Sequence, residues 1–255
     1  MRRVCAASAA THRHVMQFVR PGMNEFEVAS ELEYHFRKNG CDSLGYGSIV
    51  AGGKNATCLH YKTNNENLRD GDLLLIDAGG ERELYGADIT RTFPVGRKFT
   101  DAQSKIYDLV LQAQSDCLAL AKPGATLPQI HSRAIETLTD GMIEYGFLKG
   151  KRAELISTAA YRKYYPHGTS HWLGMDVHDV GLMLKDGQPR RLEPGMVFTI
   201  EPGFYVQPSD QDAPQEFKNI GIRIEDDVLI TDAGCENLTT GVPKLRSEIE
   251  ALRQY

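Results

Sequence analysis

The sequence predicts an α+β fold of two similar halves, with helices outside a curved antiparallel sheet. Three observations lead to it. Helix-patterned segments come in pairs, each pair followed by a run of short strand-like segments, and this order occurs twice. A twelve-residue pattern also occurs twice, as Leu68-Arg-Asp-Gly71-Asp-Leu-Leu-Leu-Ile76-Asp77-Ala-Gly79 and as Leu192-Glu-Pro-Gly195-Met-Val-Phe-Thr-Ile200-Glu201-Pro-Gly203. A weaker repeat, Arg20-Pro-Gly-Met-Asn24 and Lys122-Pro-Gly-Ala-Thr126, punctuates the helix pair of each half. A long unit that appears only twice is a duplication, because a solenoid needs more and shorter units.

The first helix is expected over about 2–19. Its start, Met1-Arg-Arg, has the basic beginning of a signal peptide but no apolar stretch, since Thr11, His12, Arg13 and His14 follow at once, so it reads as an amphipathic helix. The second helix, about 25–39, opens on a capping box of Asn24 with Glu27 and stops at Gly40. Strands are expected near 45–51, 56–61, 72–79 and 85–93. Thr100 with Gln103 caps a third helix of about 101–121. The fourth, about 128–145, begins with Pro128 in its first turn and stops at Gly146. Strands follow near 168–174, 196–203 and 220–230. Residues 206–219 are polar and proline-containing and read as a surface loop. No linker divides the chain.

With 255 residues, 41% hydrophobic and 25% charged, the chain can bury a sizeable core. A net charge of −5 is too mild to indicate nucleic acid or an anionic membrane as a partner. No apolar run approaches the roughly 18–20 residues of a membrane span. The five cysteines are scattered without a CxxC pair. That fits a cytoplasmic, reducing location and argues against a Cys-ligated zinc.

Both copies of the repeat end on an acid, Asp77 and Glu201, and each is followed by a strand-like run with another, Asp88 and Glu225. A single Asp after a strand is usually a turn residue. An acid among apolar strand residues is different, since its burial costs several kcal/mol unless it is paired or metal-bound. In strand geometry Arg223 and Glu225 point the same way, so a local ion pair is the simpler reading of those two alone. Three of the eight histidines, His167, His171 and His178, fall within twelve residues beside the only Trp. His60 stands alone, and His12, His14, His35 and His131 lie in helical stretches without such a pattern. One imidazole among four carboxylates suits Mn, Fe, Co or Zn better than Ca, and carboxylates can bridge two ions. No Gly-x-Ser-x-Gly elbow, phosphate-binding loop or His-Glu-x-x-His motif competes.

The order Asp77, Asp88, His171, Glu201, Glu225 resembles the ligand set of the pita-bread metallopeptidases, which include methionine aminopeptidase, aminopeptidase P and prolidase. The wording is most similar to the aminopeptidase P branch: Leu59-His60-Tyr61, Asp88-Ile-Thr-Arg-Thr-Phe-Pro94, His167-Gly-Thr-Ser-His171-Trp-Leu-Gly, Asp176-Val-His178-Asp-Val-Gly and Gly221-Ile-Arg-Ile-Glu225-Asp-Asp. The resemblance covers almost the whole chain and implies a pita-bread catalytic domain over residues 1–255, without the N-terminal domain that proline-specific members usually carry.

It further implies a metalloaminopeptidase that releases the first residue of peptides with proline in second place. Asp77 and Asp88 would hold one divalent ion and Asp88, His171, Glu201 and Glu225 the other. The ions would be Mn(II), with Co(II), Zn(II) or Fe(II) as alternatives, and a hydroxide between them would be the nucleophile. Glu201 would shuttle a proton, while His60, His167 and His178 would face the substrate. Arg223 would pair with a metal-bound carboxylate, and Tyr205 would form a wall of the site. A homo-oligomer is compatible with this reading. Methionine-aminopeptidase-like activity, prolidase activity and a non-catalytic binding module are the alternatives, the last disfavoured because all five ligand positions are filled.

Overall fold

The structure is a computed structural model that describes residues 1–254. Its order is two long helices and a set of strands, then two long helices, a short one (Arg152–Ser157) and a second set of strands, with a last short helix (Arg246–Leu252). Helices α1 (Arg2–Phe18) and α2 (Glu25–Lys38) precede β1 (Ile49–Gly52), β2 (Leu73–Asp77) and β3 (Thr90–Pro94). Helices α3 (Asp101–Leu120) and α4 (Leu127–Glu144) precede β4 (Val197–Ile200), β5 (Gly203–Tyr205), β6 (Gly221–Arg223), β7 (Asp226–Thr231) and β8 (Gly234–Asn237).

The helix starts lie where their caps put them. Asn24, Thr100 and Thr126 each accept an N–H of the first turn, and Glu27, Gln103 and Gln129 bond back to the cap backbone. Each box satisfies two of the donors that a helix start leaves orphaned. Gly40 and Gly146 follow α2 and α4 with φ of +92° and +81°, the left-handed stop that glycine adopts without a Cβ clash.

The first half is an antiparallel sheet in the order β1-β2-β3, with Asp77 opposite Thr90. In the second half β4 lies beside β7, with Ile200 opposite Asp226, and β8 extends the far side. The place of β1 is taken by residues 169–173, which run antiparallel to β4. The strand of each copy of the repeat thus leads to its acid: Asp77 closes β2, and Glu201 directly follows β4. The repeat's glycine has one role in both copies: Gly71 and Gly195 have φ of +88° and +92°, a turn that a β-carbon would strain. Gly79 is needed for a different reason, since a Cβ there would lie 1.6 Å from the carbonyl oxygen of Ala87.

The halves join where β3 meets β6: the Thr92 hydroxyl and the Arg223 backbone exchange hydrogen bonds of 3.1 and 3.2 Å. Apolar faces of the helices and the sheet close one large core that includes Phe36, Phe93, Tyr107 and Phe198. An aromatic group of Phe147, Tyr164, Phe204 and Phe217, with ring centroids of Phe147 and Phe204 5.0 Å apart, backs β5.

Several strand expectations and one loop expectation need correction; 220–230, for one, is two strands, β6 and β7. Residues 56–61 are not a strand: a short 3₁₀ turn (Gly53–Thr57) leads into a bend and turn that carry His60. Residues 85–93 form two strands, Tyr85–Gly86 and β3, because the Asp88 N–H bonds to the Asp227 carboxylate instead of a neighbouring strand. Residues 168–174 keep only one bridge, Trp172 to Phe198, because the His171 N–H bonds to the Thr199 hydroxyl instead of the backbone carbonyl a ladder would use. Within 206–219, expected to be surface, Ala213 and Phe217 turn inward and are buried.

Candidate metal centre

One cleft of about 260 Å³ is lined by nine of the ten residues singled out in the sequence: His60, Asp77, Asp88, His167, His171, His178, Glu201, Arg223 and Glu225. The tenth, Tyr205, sits behind it, buried and bonded to both His167 and Arg223 at 2.9 Å. The acids come from strand ends. Asp77 closes β2, Glu201 follows β4, Asp88 lies just before β3, and Glu225 lies between β6 and β7.

The imidazole of His171 is the hub. Its Nε2 lies 3.3 Å from Asp88 Oδ2, 3.5 Å from Glu201 Oε1 and 4.0 Å from Glu225 Oε1. Its Nδ1 lies 3.0 Å from the Trp172 carbonyl. A proton on Nδ1 satisfies that carbonyl and leaves Nε2 with a lone pair aimed at the acids, the tautomer of a metal ligand. Asp88, His171 and Glu225 each offer an atom within 4.8 Å of the others.

Burial, then the repulsion of its fellow acids, pushes Glu225 well above the usual carboxylate range. Burial also raises the pKa of Asp88, and carries Glu201 up to about 7 against the opposing pull of His171 and Arg223. Burial works against a charged His171, yet Asp88 and then Glu201 bring its pKa up to about 9. Four largely buried carboxylates thus share one guanidinium and one imidazole. Such an excess of buried negative charge is offset by divalent cations, and O-rich donors with a single N fit them.

Arg223 is spent on fixing this arrangement. Its Nη2 donates to Asp77 Oδ2 at 2.6 Å, its Nη1 to the Tyr205 oxygen, and its Nε to Thr90 Oγ1 at 3.1 Å. The ion pair it makes is therefore with Asp77, not the local one with Glu225.

The sequence profile of metallopeptidase family M24 matches residues 1–232. The chain belongs to this family. It is 46% identical to the Xaa-Pro aminopeptidase of Escherichia coli over 252 residues, which is 99% of this chain and 57% of that protein. It is 43% identical to the mitochondrial intermediate cleaving peptidase 55 of Arabidopsis thaliana, over 88% of this chain and 43% of the relative. The M24 fold, in its pita-bread form, is the one observed. The solved aminopeptidase PepP of Pseudomonas aeruginosa superposes with a TM-score of 0.98 at 47% identity, covering 99% of this chain and 57% of that one. The M24 chain therefore spans a little over half the length of these bacterial relatives.

Sequence reasoning about this M24 chain missed two groups. The Tyr46 hydroxyl lies 2.6 Å from Asp77 Oδ1 and 2.5 Å from Asp88 Oδ1, between the two acids. Its only signal is the flanking pair Gly45 and Gly47, of which Gly45 lies against the Gly79 and Gly80 carbonyls while Gly47 has open space around it. The Thr90 hydroxyl donates to Glu225 Oε2 at 2.6 Å. The cleft histidines also differ among themselves. His167 has Nδ1 on the Gly168 carbonyl and Nε2 on the Tyr205 hydroxyl, and burial beside Arg223 lowers its pKa to about 3, so it is neutral with both nitrogens engaged. His178 packs edge-on to His171, with ring centroids 4.4 Å apart, and His60 is exposed at the rim.

Proposed function

We propose that this domain is a metalloaminopeptidase that releases the first residue from peptides with proline in second place. The observation that carries the reading is the convergence of four carboxylates and one imidazole in a single cleft, in a chain whose bacterial relatives bear the name Xaa-Pro aminopeptidase. Asp77 and Asp88 would hold one divalent ion and Asp88, His171, Glu201 and Glu225 a second, with Asp88 and Glu225 shared. Mn(II) suits an oxygen-rich set best, with Co(II), Zn(II) or Fe(II) also compatible. When bound, the ions supply Lewis-acid activation of water and of the scissile carbonyl.

The chain's own groups do the rest. Glu201, beside His171 in the cleft, takes a proton from the attacking water and returns it to the leaving proline nitrogen. His60 and His178 offer N–H donors to the substrate carbonyls, while His167 orders Tyr205. Arg223 keeps Asp77 in place.

The test is hydrolysis by the metal-loaded chain of an Arg-Pro-Pro peptide against a Met-Ala-Ser peptide. Release of Arg alone supports the proposal. Cleavage of the second peptide alone would assign the chain to methionine removal. A folded, metal-loaded chain that cleaves no Xaa-Pro peptide would leave the binding module as the better reading.

A further inference from the structure

A second convergence of metal-ligating side chains lies outside the cleft, on the paired helices α1 and α2. His14 comes from α1, while Glu31 and His35, four residues apart on α2, share one face of that helix. Nε2 of His14 lies 2.7 Å from Glu31 Oε1, and Nε2 of His35 lies 3.2 Å from the same oxygen. The two imidazoles are stacked, with centroids 3.5 Å apart and planes 20° from parallel. One ligand atom of each residue lies within 4.8 Å of the other two. None of the three lines the cleft.

Without an ion, both rings face a single carboxylate oxygen, to which Nε2 of His14 donates. Burial, then the neighbouring His14, lowers the pKa of His35, so its ring is held back from the charged form. Two neutral imidazoles and a carboxylate are an N,N,O set of the kind that binds borderline divalent ions. The side chain of His35 is mostly buried, whereas that of His14 is 37% exposed, which leaves a coordination position open to water. Lys38, the neighbouring cation whose charge acts on His35, is drawn over the Tyr34 ring, 5.7 Å from its centroid.

We propose that His14, Glu31 and His35 form a second, peripheral site for a divalent transition ion of the Zn(II) class, which staples α1 to α2. An ion binds near the plane of each imidazole, and two stacked rings cannot both meet that condition. His14, the more exposed of the two, therefore swings out of the stack when the ion enters, with the proton of each ring moved to Nδ1. Because the ligands come from two helices, binding favours the folded state.

The experiment adds Zn(II) alone to the Mn(II)-loaded chain. Anomalous scattering at the zinc edge locates the ion in crystals, and metal analysis counts it in solution. The expected result is a peak between His14, Glu31 and His35 with the ring stack opened. In His14→Gln and His35→Gln that peak disappears, the metal at the cleft stays, and bound zinc falls by one equivalent. Loss of a direct ligand should weaken binding by more than the roughly 10–100-fold that loss of an outer partner costs. Zinc at the cleft with none between the helices would overturn the proposal, as would equal zinc content in the wild type and His14→Gln. Should His35→Gln fail to fold, the exposed His14→Gln decides.

Discussion

Arg223 reaches from the second half of the chain to Asp77 in the first, with Nη2 2.6 Å from Oδ2. The same guanidinium also bonds Tyr205 and Thr90, so one planar fork orients a candidate ligand, a cleft wall and the partner of Glu225. A lysine keeps the charge but cannot reproduce the fork. Arg223→Lys should lower peptide hydrolysis at least about tenfold and stability by about 1–3 kcal/mol, the cost of leaving buried polar groups unpaired. Urea denaturation alongside kcat measures both. Unchanged kcat would show that Asp77 needs no such support.

Tyr46 supplies one hydroxyl proton to two acids, so only one of them can receive it at a time. Its removal in Tyr46→Phe should cost a hydrogen bond to a charged group, about 1.5–3 kcal/mol, or roughly 10–100-fold in rate. Metal content should stay the same, because no carboxylate is lost. A variant that no longer retains metal would make the hydroxyl part of the binding set.

Asp88→Ala and Glu201→Ala each remove charge from the centre itself, and both should abolish hydrolysis and reduce bound metal. His178→Ala takes away only a cleft-facing donor, worth on the order of 10²–10³ in rate if it acts as an oxyanion-type donor. Its metals should remain. Loss of both ions in this variant, read by metal analysis, would make His178 a ligand.

His12 is almost wholly buried, with Nε2 2.8 Å from the Ala78 carbonyl, and burial lowers its pKa to about 4. The unfolded chain takes up the same proton near pH 6.5. Between the two values the unfolded state binds more protons, so this contribution is present above about pH 6.5 and is lost as pH falls towards 4. At about 1.4 kcal/mol per pH unit the loss is about 3 kcal/mol. Asp88, Glu201 and Glu225 are shifted upward and act in the opposite sense. The stability difference between the wild type and His12→Gln, followed from pH 7 to 4 in urea, cancels their effect. A difference that does not change with pH would mean that His12 takes up its proton at the same pH in the folded and unfolded chains.

The four long helices were legible to within a residue or two because their ends carry chemistry that acts locally: Asn24 with Glu27, Thr100 with Gln103, Gly40, Gly146. The short helices Arg152–Ser157 and Arg246–Leu252 have no side-chain cap and were not. Strand pairing depends on partners far along the chain. Nothing near His171 says that the Thr199 hydroxyl will take its N–H, and nothing near Asp88 says that Asp227 will take its own. The acids of the cleft could be read because duplication placed them at equivalent strand ends. Tyr46 could not, since a lone tyrosine between glycines has no period and no repeat. The buried pair of Arg91 and Asp226, 2.6 Å apart with both side chains inaccessible, was hidden for the same reason.

Glu25 was visible in the sequence only as the opening of a helix. It is fully buried, and its two oxygens accept from the Gly52 and Glu66 backbones, the Asn55 amide and the Tyr61 hydroxyl. Those four donors are the hinges of residues 52–66, the flap that carries His60 over the cleft. The first turn of α2 therefore works as a latch on the rim of the cleft, alongside Gln207, which bonds Thr57, and Asn64, which bonds Val50 and Ser48. Anyone redesigning the rim to admit bulkier peptides has a handle there, remote from every candidate ligand.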